Sequence, residues 1–166
     1  MDSHIRPGDG DDLERINDIY NAYIVDSHTS FDIEPWTLAE RRRWYGKYER
    51  DEPRLQLLVL EVDTMVVGFA SSSPFRDKKA YDTSVETTIV LEENATGRGW
   101  GGPLMKALLE RLAAAGVHRA YALIALPNEP SVRFHELFGY TALGTMDEVG
   151  HKLDQFHSVL IMERRF

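Results

Sequence analysis

Four glycines in six positions, Gly97-Arg98-Gly99-Trp100-Gly101-Gly102, constrain this chain more than any other stretch of it. Such a run lets the backbone enter φ > 0 and lets a ligand approach the main chain closely. Before it, residues 81–91 carry several β-branched side chains and predict a long strand. After it, Leu104, Leu108 and Leu112 recur on one helix face, which predicts a helix from about Pro103 to Ala115 with Gly116 as its C-terminal cap. Pro103 is tolerated in a first helical turn, where its missing N–H costs nothing. A strand, a glycine turn and a helix start together make an anion site, because the free N–H groups and the dipole both favour negative charge. Arg98 can add a charge-assisted contact there. The plainer reading is a turn that binds nothing.

The remaining elements follow from periodicity and punctuation. His4-Ile5-Arg6 is a short strand candidate ended by Pro7-Gly8. Asp11 or Asp12 can cap a helix with apolar positions Leu13, Ile16, Ile19, Tyr20 and Tyr23. Residues 26–35 read as a loop. Thr37 and Glu40 have capping-box spacing for a second helix, whose Arg41-Arg42-Arg43 run is expected to be a solvated face. Leu55–Val62 and Met65–Ser73 read as strands joined by a tight turn at Asp63-Thr64. Val117–Ala125 is a strand, Ser131–Phe138 a helix ended by Gly139, and residues 140–149 and 155–162 a closing antiparallel pair. The order is β-α-α-β-β-β-α-β-α-β-β, an α/β fold on a sheet of mixed direction. The 166 residues suit one domain, and no linker or repeat divides them.

Several function classes drop out early. The chain has no cysteine, which excludes thiol catalysis and cysteine-based zinc sites. A net charge of −8 argues against a nucleic-acid partner but says little about one basic pocket. No apolar run approaches the roughly 20 residues needed to span a bilayer. The polar N-terminus is unlike a targeting segment, so no membrane is expected and the default compartment is cytoplasmic. His4, His28, His118, His151 and His157 lack metal-ligand spacing, so no metal is expected.

Three phosphate-binding patterns compete for the glycine turn. A P-loop would need Gly-Lys-Ser or Gly-Lys-Thr, which is missing. The dinucleotide fingerprint is formally matched by Gly97, Gly99 and Gly102, but the next strand ends Leu123-Ile124-Ala125-Leu126 with no acid for a ribose. The third pattern is Gly97-x-Gly99-x-Gly101 after a strand, followed by a helix, a strand and Asn128-x-x-Ser131…Gly139-Tyr140. It resembles the GCN5-related N-acetyltransferases over nearly the whole chain. The phosphinothricin acetyltransferase branch is matched more specifically. Its marks are Ile5-Arg6-Pro7, Phe31-Asp32-x-Glu34-Pro35, Ser73-Pro74-Phe75-Arg76, Val85-Glu86, His135-Glu136-Leu137-x-Gly139 and Val149-Gly150-x-Lys152.

The resemblance implies acetyl-CoA as the cofactor. Gly97, Arg98, Gly99, Trp100, Gly101 and Gly102 would then bind its pyrophosphate. The backbone of Ile89, Val90 and Leu91 would pair with the pantetheine arm, and Asn128 would hydrogen-bond beside it. Asn128 equally suits a helix cap. Thr96 stands where the family usually has Gln or Arg, which leaves the grip to backbone N–H groups and Arg98. The aromatic-rich segment that the family carries after Lys152 reads Leu153-Asp154-Gln155-Phe156-His157 here.

Acetyl transfer to nitrogen needs a neutral amine, so a base near the acceptor helps. Glu86 is implied as that base. On its own, the residue reads equally well as an acid facing solvent. His135 falls where many relatives place a tyrosine that protonates the thiolate, and an imidazole can act as acid or share the base role; a packed helix histidine is the other reading. Arg76 resembles the residue that receives the acceptor's carboxylate. Lys78, Tyr81, Phe31, Thr87 and Thr88 would flank it, the alternative being a solvated loop cluster. The implied activity is N-acetylation of the α-amine of a small amino acid in the phosphinothricin and methionine sulfoximine/sulfone class, by a homodimer. Another small amine, a protein N-terminus, or a coenzyme A sensor without turnover are the alternatives.

Overall fold

The computed structural model describes residues 2–166. Its strands and helices follow the order read from the sequence. β1 (Ser3–Pro7) leads through a 3₁₀ turn into α1 (Leu13–Asp26) and α2 (Leu38–Tyr45). β2 (Leu57–Val62), β3 (Met65–Pro74) and β4 (Ser84–Leu91) follow, then α3 (Gly101–Ala114), β5 (Arg119–Ala125), α4 (Glu129–Leu137), β6 (Thr141–Lys152) and β7 (Gln155–Arg165). All seven strands form one sheet in the order β1-β2-β3-β4-β5-β7-β6. Every neighbouring pair is antiparallel except β4 and β5.

Each face of the sheet carries its own core. On one, Leu104, Leu108 and Leu112 of α3 are fully buried against Leu58, Val85 and Ala120. On the other, Leu13, Ile16 and Ile19 of α1 meet Val59 and Phe69. The turns are set by local chemistry. Asp63-Thr64 and Leu153-Asp154 each place two successive residues at positive φ, which gives the strand-matching twist of two-residue hairpins. Thr37 and Glu40 close the expected capping box on α2.

Three expectations need refinement or correction. Asp12 stands at the N-cap of α1 as expected but makes no side-chain cap bond; the capping bonds are made one turn earlier, by Asp9 at the start of the 3₁₀ turn. Asp12 reaches back to that cap and takes two 2.7 Å bonds from Arg6, which ties β1 to α1. α3 begins at Gly101, two turn glycines earlier than the apolar stripe suggested. The largest departure is Arg41, expected in solvent and found 1% exposed. Its guanidinium carbon lies 4.3 Å from the Trp36 ring centroid and 4.8 Å from those of Tyr20 and Trp44, while Nε donates to Asn17. Desolvated cation–π contacts contribute about 2 kcal/mol or more. Burial pulls its pKa down to about 10, so Arg41 still carries its charge at neutral pH.

Candidate active site

β4 and β5 pair only from Ser84 to Glu86, opposite Arg119 to Tyr121. Beyond that point β4 stays with β3 and β5 with β7, so the two strands part. The wedge between them is a cavity of about 840 Å³. Its walls are residues 86–91 of β4, 122–125 of β5, Asn128, Ser131, Phe134 and His135 around α4, and Gly97 and Gly101 at the entry to α3. Tyr20 and Tyr23 of α1, Thr29, Ser30 and Phe31 of the following loop, and Met146 and Val149 of β6 complete it. Backbone groups on the parted edges have no strand partner, which suits an extended, amide-bearing ligand.

The glycine turn sits at one mouth of this cavity. Gly97 and Gly99 have φ +70 and +81, and a Cβ on either would meet nothing within 4 Å. Glycine is needed there for conformation, on a face open to a ligand. At Gly101 the reason is space, since a Cβ would come to 3.3 Å from the Phe134 ring. Trp100 stands at the N-cap of α3 and makes no side-chain cap bond, so the first-turn N–H groups have no cap acceptor. Thr96 spends its hydroxyl on the Glu93 carbonyl at 2.8 Å.

Glu86 lies where the strands separate. Val85, Ile89 and Leu91 pack with the α3 core and Val90 with the α1/α2 core, so strand alternation puts Glu86 and Thr88 on the α1/α2 face. Burial raises the Glu86 pKa, and the nearby cations Arg76 and Lys47 only partly offset it. Lys47 holds its ammonium 5.0 Å from the Trp44 and Tyr48 ring centroids. Burial, then Arg41, lowers the Lys47 pKa to about 8, against the pull of Glu86. No sequence pattern marks Lys47; its place depends on the fold of α2 over the sheet.

His135 is 5% exposed, and its Nδ1 lies 2.8 Å from the Ser131 carbonyl oxygen. A carbonyl only accepts, so Nδ1 carries the proton and the neutral ring keeps its lone pair on Nε2. Burial lowers its pKa, with the Ser131 bond acting in the opposite sense. The ring meets Tyr140 edge-on at 5.1 Å. Tyr140 in turn shares a 2.8 Å hydrogen bond with Thr87, whose hydroxyl is thereby occupied at the apex of the wedge.

The cavity thus gathers Phe31, Glu86, Thr87, Thr88, Ile89, Val90, Leu91, Gly97, Gly101, Asn128 and His135. Asn128 does cap α4, its side chain accepting from Ser131 N at 3.2 Å. Arg98, Gly99, Trp100 and Gly102 lie in the turn without lining the cavity, Arg98 standing 5.6 Å over the Trp100 ring. Arg76, Lys78 and Tyr81 also fall outside the lining, contrary to the expectation that they flank the pocket. The Arg76 guanidinium folds 4.2 Å over the Phe75 ring, and Tyr81 packs on the same ring in a 3₁₀ turn after β3. Of the three, only Arg76 is felt electrostatically at Glu86. The sequence reading missed Tyr20 and Tyr23 as site residues because their helical spacing signals core equally well. Tyr23 donates to the Leu91 carbonyl at 2.7 Å.

Comparison with known proteins gives a consistent result. A family model described as the acetyltransferase (GNAT) family matches residues 16–140. A phosphinothricin N-acetyltransferase of Streptomyces coelicolor is 44% identical over 161 residues, covering 96% of this chain and 94% of that protein. An L-methionine sulfoximine/L-methionine sulfone acetyltransferase of Pseudomonas aeruginosa is 28% identical, covering 98% and 94%. Among solved structures, a phosphinothricin acetyltransferase from Sinorhizobium meliloti in complex with AcCoA superposes with a TM-score of 0.93 at 26% identity, covering 100% of this chain and 89% of that one.

Proposed function

The chain belongs to the GNAT acetyltransferase family, and from that premise we propose that it acetylates the α-amine of a small amino acid of the phosphinothricin and methionine sulfoximine/sulfone class. As an acetyl-CoA-dependent N-acetyltransferase it needs a site for the cofactor, and the residues present fit one. The unpaired edge of β4 suits the amides of a pantetheine arm, and the open glycine turn with its uncapped helix start suits a pyrophosphate. The bound cofactor supplies a thioester carbonyl open to attack by an amine.

The chain's own groups do the rest. Glu86 takes the ammonium proton of the acceptor, and burial, by raising its pKa, makes it a stronger base than an ordinary carboxylate. Main-chain N–H groups on the unpaired edge of β4 would stabilise negative charge on the thioester carbonyl oxygen. His135 presents Nε2 as an acceptor, which favours a share in the base role over the acid role. Arg76 and Lys47 put positive charge beside Glu86 and so favour an acceptor that carries a carboxylate. Phe31, Tyr20 and Thr88 border the space left for its side chain.

The observation that carries this reading is a partly buried carboxylate at the point where two parallel strands part. Thiol release measured across an amine panel tests it. Phosphinothricin and methionine sulfone should turn over, and their decarboxylated analogues should not. Equal turnover of the decarboxylated amines would move the acceptor class to simple amines. No thiol release with any acceptor, despite an acetyl-CoA-induced rise in Tm, would mark a sensor.

A further inference from the structure

The loop from Ser27 to Glu34 contributes Phe31 to the cavity, yet the C-terminal hairpin holds that loop in place. Lys152 of β6 is 6% exposed and donates from Nζ to the Ser30 carbonyl at 2.6 Å. His28 stacks on His157 of β7 with ring centroids 4.9 Å apart, and its Nε2 meets the Pro127 carbonyl at 2.9 Å. The segment leading into residue 31 is therefore tied down, at the Ser30 backbone and through the His28 side chain.

The ring of Phe31 lies directly on Gly150. A Cβ built there would collide with three ring atoms, two of them at 2.7 and 2.8 Å and the third, Cε2, closer still. Real Cβ contacts do not occur at such distances, so the ring's position exists only because residue 150 has no side chain. β6 reaches this position through a slip in register. It advances from Met146 to Gly150 while β7 advances only from Val159 to His157. Glu148 adopts φ 45 in the slip, and its N–H donates to Ser158 Oγ at 3.0 Å. The bulge turns Val149 into the cavity and lays the Gly150 backbone under Phe31.

We propose that Gly150 is a specificity-determining position, a positioning residue that sets the width of the acceptor end of the cavity by letting Phe31 lie flat on β6. The proposal rests on reading that end of the cavity as the acceptor site. A methyl group at residue 150 must displace the ring. With that segment pinned at Ser30 and His28, the ring turns toward the open side, which is the cavity. Acceptor side chains then lose room, while the glycine turn at the mouth of the cavity, in contact with neither Phe31 nor Gly150, is untouched.

The test is Gly150→Ala assayed with a short and a long amino-acid acceptor, alanine and methionine sulfone. The ratio of kcat/KM for the long acceptor over the short one should fall about tenfold, the scale of discrimination a pocket imposes on a methylene or two. The loss should sit in acceptor KM, with KM for acetyl-CoA unchanged. In a Phe31→Ala background the same substitution should leave the ratio where Phe31→Ala alone puts it. An unchanged or increased ratio in the single variant, or an equal fall without the ring, would overturn the proposal. Melting temperatures supply a readout that does not depend on turnover. Gly150→Ala should lower Tm beside Phe31 and not beside Ala at residue 31. Coupling in Tm with no turnover of any amino acid by the unaltered protein would fault the acceptor reading and not the contact.

Discussion

The two faces of the sheet solve different problems with different materials. On the α3 face the core is aliphatic, and its polar pair Thr87 and Tyr140 satisfy each other at 2.8 Å. The cofactor site proposed there offers mainly backbone, from the parted edge of β4 and the glycine turn. On the α2 face the same sheet carries charge: Arg41 among three rings, Lys47 between two, and Glu86 with its pKa raised by burial. The cofactor is a constant, so main-chain geometry can serve it. The acceptor must be deprotonated and told apart from other amines, which takes side chains in a desolvated setting.

That contrast can be broken first at Glu86. Glu86→Gln should lower kcat on the order of a thousandfold while KM for acetyl-CoA stays put, measured by thiol release. Stability should move the other way. A carboxyl whose folded pKa is raised holds its proton more tightly when folded, so it contributes stability below the unfolded value, and this is lost as pH rises through the folded value. Glu86→Gln should therefore raise Tm at pH 8 and leave it nearly unchanged at pH 4. Next is Arg41→Ala, which removes a fully buried guanidinium from its ring cage and leaves Asn17 Oδ1 without that donor. A loss on the order of 3 kcal/mol is expected by urea unfolding, with little change in acetyl-CoA affinity.

The cofactor side should respond in the opposite pattern. Gly97→Val forces a β-branched residue to φ +70, a strain of about 1–2 kcal/mol, and should raise KM for acetyl-CoA by about tenfold without altering the ranking of acceptors. The smallest effect is expected at Lys47. Lys47 and Arg76 both favour ionised Glu86, so Lys47→Met should move the rising limb of the kcat/KM profile to higher pH, and Lys47→Arg should restore it. A limb that stays in place would mean that Glu86 does not set it.

Much of the α3 face was legible in advance. Leu104, Leu108 and Leu112 announced the helix, and glycine at positions 97, 99 and 101 announced the turn, because periodicity and φ preference are properties of neighbouring residues. Glu86 and His135 were legible as candidates only through resemblance, since a lone acid on a strand has no local signature. Lys78 and Tyr81 were expected at the pocket and stand outside its lining, because the 3₁₀ turn after β3 stacks Tyr81 on Phe75.

The sequence alone determined the order of the elements, the two hairpins, the capping box at Thr37 and the glycine turn that suits an anion. All of these depend on interactions within a few residues, which spacing encodes directly. Only the tertiary structure decided that Arg41 is buried while Arg42 and Arg43 are exposed, that Lys47 stands near Glu86, and that Gly150 lies under Phe31. Those outcomes join segments tens of residues apart. Whether a charge ends in water or among aromatic rings depends on which face another element covers, and no local pattern records that.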